Sequence, residues 1–365
     1  MPKVVISGYY GFHNSGDEAI LHAMLQALRG VMPGLEVTVL SREPGYTTRE
    51  FDVRSVSRNN PWQVFQAIKA ADMLISGGGG LLQDVTSPRS IIYYLGVVAM
   101  AVLIGKPVFF YAQGIGPVHT ALGRTAVRLV VNHVNAVTVR DADSKSELVS
   151  LGVKRPHVQV TADPVLGLEP LLIDVEKGRK ILASLGVGGG PVAGLSVIPW
   201  KGLSRYKEVV ARAADDLTAQ GWQVLLIPMH NPVDIETCRE VAALMRGKPP
   251  FMLGSGTKYK ELLSIAANLD LAVGMRLHFL IFSAIFGVPV VGISYDPKVN
   301  RFLQSLGLPT GLSPECLEYN ELSLRIKHAV RNREKISADL QERVALLRKQ
   351  ALKNASLAVE LIRPD

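Results

Sequence analysis

A chain of 365 residues, 48% hydrophobic and 20% charged, exceeds what one hydrophobic core usually serves, so two domains are expected. Forty Lys and Arg against 32 Asp and Glu give a formal charge of +8, which favours phosphates, carboxylates, acidic glycans or anionic lipid headgroups as partners. The basic residues are scattered, with no block interleaved with aromatics, so nucleic acid is not an expected partner; Cys238 and Cys316 alone support neither a disulfide framework nor a metal site.

In chain order, short β-branched runs alternate with stretches of helical period, the pattern of parallel strands joined by crossover helices. A strand at 4–7 leads into a Gly-rich turn and a helix at 18–29, with Ser15-Gly16-Asp17-Glu18 reading as its capping box. Further strands are expected at 36–40, 73–76, 108–112, 136–140 and 158–161. The apolar stretch 91–105 is shorter than the ~18 to 20 residues needed to span a bilayer and runs into Lys106-Pro107, so a buried helix is expected there. No charged region followed by an apolar stretch and cleavage site opens the chain, so a cytoplasmic protein is expected.

The domain boundary is placed near residue 170, giving domains 1–170 and 171–365. The second half repeats the alternation: strand 192–197, helix 205–219, strand 223–227, helices 234–245 and 259–268, strand 271–273, helix 278–286, strand 288–293. Residues 321–362 then read as charged amphipathic helix in two or three segments. Two open α/β sheets in tandem point to a functional cleft between them, because such sheets bind ligands beyond the carboxyl ends of their strands.

The loops after strands carry the candidate chemistry. Gly8-Tyr9-Tyr10-Gly11-Phe12-His13-Asn14 precedes a helix N-terminus, where backbone amides can meet an anion, yet it fits neither the dinucleotide fingerprint nor the P-loop. A tight turn would explain its glycines; Asn14 is a polar group beyond what the turn needs. Gly77-Gly78-Gly79-Gly80 is costly unless backbone must pass close to a substrate or another loop. Gln113-Gly114-Ile115-Gly116-Pro117 repeats that situation, with structure and substrate contact equally open. Arg140, at a strand end, is placed to grip a phosphate or carboxylate, or else to pair with Asp141 or Asp143.

Arg276 and His278 stand two residues apart where an apolar strand meets an apolar helix, and neither suits a core. His278 can exchange protons near neutral pH, as acid or base. Lys298 and Arg301 follow the next strand at a helix start, where cations oppose the dipole and anion binding explains them better. Asp17, Glu18, Asp84 and Asp296 are available acids or bases, each with a capping or ion-pair alternative.

Taken together, Gly11-Phe12-His13-Asn14-Ser15-Gly16-Asp17-Glu18, Gly77-Gly78-Gly79-Gly80-Leu81-Leu82-Gln83-Asp84, Gln113-Gly114-Ile115-Gly116-Pro117, Arg276-Leu277-His278 and Ser294-Tyr295-Asp296-Pro297-Lys298 resemble the polysaccharide pyruvyl transferase family, in particular its bacterial CsaB-type enzymes of cell-surface anchoring. The resemblance implies an α/β fold of two Rossmann-like domains, glycosyltransferase-B-like, with the active site in the interdomain cleft, acceptor side first and donor side second. It implies phosphoenolpyruvate as donor, no cofactor and no metal, and a 4,6-ketal of pyruvate formed on N-acetylmannosamine of a lipid-linked secondary cell-wall polymer precursor, with release of phosphate. Surface-layer proteins would later recognise that ketal.

By the same resemblance His278 and Arg276 are the catalytic pair. Asn14, Arg140, Lys298, Gly78, Gly79 and Gln113 are substrate-binding candidates, and Arg301 joins them by position and charge. The lipid-linked amino-sugar disaccharide and the net charge imply peripheral contact with an anionic membrane at its inner face. Two other readings compete: a nucleotide-sugar-dependent glycosyltransferase on the same scaffold, and a non-catalytic glycan-binding protein of the envelope.

Overall fold

The computed structural model describes residues 1–84 and 88–362. The chain divides into two units, the first made of Met1–His13, Asp17–Leu168 and Leu347–Asp365, the second of Asn14–Gly16 and Glu169–Leu346. The expectation of a second domain running unbroken to the C-terminus is thus corrected: the last residues group with the first unit.

The chain opens with β1 (Lys3–Ser7), α1 (Ser15–Val31), β2 (Glu36–Ser41), α2 (Pro44–Phe51), β3 (Arg54–Ser57) and α3 (Pro61–Ala70). It continues through β4 (Met73–Ser76), β5 (Gly79–Leu82), α4 (Pro88–Leu103), β6 (Val108–Ile115), α5 (Ala121–Val131), β7 (Ala136–Val139), α6 (Ala142–Ser150) and β8 (Val158–Val160). After α7 (Val175–Ser184) come β9 (Val192–Ser196), α8 (Arg205–Ala219), β10 (Gln223–Leu226), α9 (Val233–Leu244), β11 (Phe251–Met252) and α10 (Tyr259–Ala266). Then follow β12 (Leu271–Gly274), α11 (Leu277–Ile285), β13 (Val290–Gly292), α12 (Pro297–Ser305), α13 (Tyr319–Arg331) and α14 (Arg333–Ile362).

The first sheet has eight strands in the order β3-β2-β1-β4-β6-β7-β8, with β5 beside β6; the second has five, β11-β10-β9-β12-β13. Every described strand pair is parallel. Parallel sheets are covered on both faces, which is why all eight residues of β6 and all five of β9 are buried and why their sequences read as continuous apolar runs. Strand order reverses between β1 and β4 in the first sheet and between β9 and β12 in the second, and ligands of such sheets bind at that switch point. The loops that leave β1 and β4 are the two glycine-rich segments. The loop that leaves β12 carries Arg276.

Local signals were partly overruled. Helix α1 begins at Ser15 rather than at 18, and the box read from Ser15 to Glu18 does not form. Asn14 Oδ1 accepts from the amide of Gly16 at 3.0 Å, while Glu18 turns back to accept from Gly11 N at 3.2 Å. Half of the glycine run, Gly79 and Gly80, is strand rather than loop because β5 pairs with β6. Residues 321–362 form two helices, the second of 30 residues; its end packs within the first unit, where Thr161 Oγ1 donates to Asn354 Oδ1 at 3.0 Å. Among the described residues no helix is long and apolar enough to cross a membrane.

Candidate active site

In the second unit, β12 ends at Gly274, where a side chain would collide with Phe279, so strand and helix stay close and Arg276 becomes the residue that caps α11. Its guanidinium closes a fork on Asp234, with Nε donating to Oδ2 at 3.0 Å and Nη2 to Oδ1 at 2.6 Å. Asp234 is completely buried in the first turn of α9, and its Oδ2 also accepts from the amides of Met229 at 3.1 Å and His230 at 2.9 Å. A buried carboxylate must be paired and hydrogen-bonded to be tolerated, and four bonds achieve that here.

His230, half-buried at the end of the segment leaving β10, belongs to the same cluster. Burial pushes its pKa below the usual 6.5; the neighbouring Arg276 charge adds to that, and Asp234 opposes it. The imidazole is therefore neutral at pH 7. Asn14 pairs with His230 in an antiparallel bridge, and Ser15 N donates to Met229 O at 3.4 Å, so the segment Asn14–Gly16 lies along this strand end. His278 follows in the first turn of α11, half-buried, with its ring 6.5 Å from that of Phe282. A Cβ on Gly16 would stand 2.7 Å from Cγ of His278 and closer still to Nδ1, so the absence of a side chain at Gly16 is what admits the imidazole.

The structure thus brings together Asn14, Arg276 and His278 and adds two residues that sequence reasoning missed, His230 and Asp234. Their signal was a His after a strand, four residues ahead of an acid at a helix start. In the sequence Asp234 reads only as that helix start, because its partner lies 42 positions away.

Lys298 and Arg301 sit in α12, after β13, the strand that pairs with β12. Asp296 caps that helix by accepting from Lys298 N at 3.0 Å, and its other oxygen meets Lys298 Nζ at 3.1 Å, which offsets the cation. Lys298 Nζ is also 5.2 Å from the ring centre of Tyr295, which meets Trp200 edge-on. Arg301 is half-buried further along the same helix.

The remaining candidates lie in the first unit, and each has a packing partner. Arg140, just past β7, is nearly enclosed and pairs with Asp163 at 3.3 Å and Asp141 at 3.6 Å. A Cβ on Gly114 would press on its guanidinium at 2.7 Å. Gln113 is completely buried: Nε2 donates to Gly79 O at 2.9 Å and Oε1 accepts from Ser76 Oγ at 3.3 Å, so it braces the glycine run. Gly78 leaves room for Pro164 and Ile20, each 3.0–3.1 Å from where a Cβ would sit, and Gly79 has φ +100 and passes close to Asp17.

Two of the acids also find structural uses. Asp84 accepts from His119 N, Thr120 N and Thr120 Oγ1; burial alone would raise its pKa, but those bonds outweigh it and hold the carboxyl below its ordinary value. Glu18, beneath the first glycine loop, is pushed up to about 8 by burial, with Asp17 and Glu50 adding to it against the Gly11 amide. Among the described residues no group of His, Cys, Asp and Glu has the makings of a metal site.

Solved structures with this architecture include S. aureus MnaA with UDP (TM-score 0.72, 13% identity, 99% of this chain and 96% of that one) and HepE of Anabaena with UDP-glucose (0.68, 15%, 99% of each). A glycosyltransferase of Rickettsia africae matches likewise (0.68, 12%, 100% and 99%). These likenesses establish two Rossmann-like units of the glycosyltransferase-B kind. The amylovoran biosynthesis protein AmsJ of Erwinia amylovora is 21% identical over 84% of this chain and 86% of its own. Residues 14–297, which begin at Asn14 and take in His230, Asp234, Arg276 and His278, match the family model for polysaccharide pyruvyl transferase, and the chain belongs to that family.

Proposed function

We propose that this protein is a phosphoenolpyruvate-dependent transferase that builds a cyclic ketal of pyruvate on a sugar diol of a lipid-linked surface-polysaccharide precursor. The observation that carries the reading is the cluster Arg276, Asp234, His230 and His278 at the switch point of the second sheet, in a chain of this family. In the reaction a proton adds to the methylene carbon of the donor, giving the methyl group. One sugar hydroxyl bonds to the neighbouring carbon, a second displaces phosphate there, and both hydroxyl protons are released.

Positive charge grows on the carbon under attack while a carboxylate and a phosphate must stay fixed. Arg276, aligned by its fork on Asp234, supplies a cation of set orientation for such an anion, and preorganised charge of this kind lowers barriers more than flexible charge does. His278 carries the proton and neutral His230 accepts a hydrogen bond or proton beside it. N-acetylmannosamine and the 4,6-positions, as in CsaB-type enzymes, are the acceptor we put forward, together with Lys298 and Arg301 as contacts to the donor's charges.

Incubation with phosphoenolpyruvate and a mannosamine-containing disaccharide on a lipid-like carrier should release inorganic phosphate and add a methyl signal to the product's proton spectrum. Release of a nucleoside diphosphate from a sugar nucleotide would overturn the reading. The neighbours crystallised with UDP do not favour that alternative, since at 13–15% identity they carry the fold alone.

A further inference from the structure

Three consecutive helices of the first unit, α3, α4 and α5, contain no aspartate or glutamate, and none occurs in the sequence between Asp84 and Asp141. The helices lie on one face of the sheet: Ile68, Leu95, Val98 and Val127 share a single core, and α4 touches both α3 and α5. Their outward sides mix large apolar residues with uncharged polar or basic ones: Gln63, Gln66 and Lys69 are exposed on α3, and Arg124, Thr125 and Arg128 on α5. Along α4 the exposed positions, among the residues whose side chains are described, are Ile92, Gly96 and Leu103, the last 85% exposed, with Ala99 partly open beside them. On α5, Leu122 and Leu129 are exposed two turns apart, and Trp62 at the start of α3 is 67% exposed.

A helix apolar on every side is normally enclosed, and apolar side chains grouped on a surface mark a place of contact. The charge around this face narrows the partner. Lys69 on α3 and Arg124 and Arg128 on α5 are exposed on the same helices, and none of the three pairs with a carboxylate among the described residues; Arg124 Nη1 bonds the carbonyl of Val118 at 3.3 Å, and the stem of Arg128 lies beside Gly152. A second copy docked face to face would set like charges against each other. An anionic bilayer meets both demands, because leucine and tryptophan enter its headgroup boundary while lysine and arginine meet lipid phosphates.

We propose that the outer face of α3, α4 and α5 docks on an anionic phospholipid bilayer, with Trp62, Leu103, Leu122 and Leu129 entering the interface and Lys69, Arg124 and Arg128 on the phosphates. The inference stands apart from the identity of donor and acceptor. It makes the first unit the membrane-facing part of the protein.

Flotation of the full chain with phosphatidylcholine vesicles, with and without phosphatidylglycerol, tests it. The protein should float with the phosphatidylglycerol vesicles at low salt, less at high salt, and not with phosphatidylcholine alone. R124Q/R128Q should weaken partitioning roughly 30-fold. L122S/L129S should weaken it as well, both pairs keeping the wild-type melting temperature and turnover on a water-soluble acceptor. Failure of the wild type to float at low salt overturns the proposal, as does flotation that survives both double substitutions. A dimer in sedimentation velocity that either pair dissociates would do so too, by assigning the face to a second copy.

Discussion

Asp234 and Arg276 meet through two parallel hydrogen bonds, 2.6 and 3.0 Å long, with the acid wholly enclosed and the base partly open. The pair joins α9 to the end of β12, so it anchors the candidate site and the fold around it. Removing Asp234 leaves the partly enclosed Arg276 guanidinium without its carboxylate and the amides of Met229 and His230 without their acceptor. Asp234→Ala should cost about 3–5 kcal/mol, measured by urea unfolding, and abolish turnover. If unfolding is unchanged, the fork is not what holds this corner.

Gly16 makes a second prediction possible. Gly16→Ala would push on the His278 ring and displace it, and a displacement of ~1 Å can lower turnover on the order of 100-fold. The melting temperature should hardly move. Gly30→Ala, in the same helix with open space around it, is the control and should stabilise by about 0.4–1 kcal/mol. Equal activity of the two variants would separate His278 from catalysis.

The pH dependence of stability should bear the mark of Glu18. Its folded pKa of about 8 lies above the ordinary 4.5, so between those values the unfolded chain gives up this proton more readily than the folded one. Stability from this group is intact below pH 4.5 and drains away as pH rises to 8, after which it is level. Glu18→Gln keeps an acceptor for Gly11 N and removes the titration. Thermal melts from acid to alkaline pH should be flatter for the variant, and it should gain on the wild type at the alkaline end.

His230 predicts a limb in the activity profile. With its pKa below 6.5, the neutral ring is present at neutral pH and is lost only on acidification. A plot of kcat/KM against pH should fall on the acid side below that value. His230→Gln should lower turnover and remove that limb. An unchanged limb in the variant would assign it to another group.

How far the residues disclosed this arrangement depends on how local each signal is. Strands such as β4 and helices such as α8 are legible because burial on both sheet faces, or one apolar stripe, writes a periodic pattern into a few adjacent residues. Arg276 and His278 stood out because a cation and an imidazole interrupt an apolar junction. Asp234 and His230 did not, since their meaning lies in a partner far along the chain. The Ser15-to-Glu18 pattern is a sound local signal overruled by an amide at Gly11, and the inward turn of Gln113 depends on β5 lying beside β6, a pairing that no local pattern encodes.

The long last helix has a consequence for any attempt to take the protein apart. Because α14 starts among residues of the second unit and its final turns belong to the first, no single cut in the chain yields two complete halves. A fragment ending at Leu168 would leave Thr161 without Asn354 and strip Gly167 of its cover from Ala351 and Leu352. Exchange of the first unit between relatives, by recombination or in the laboratory, would have to carry the segment from Leu347 onward along with the residues up to Leu168.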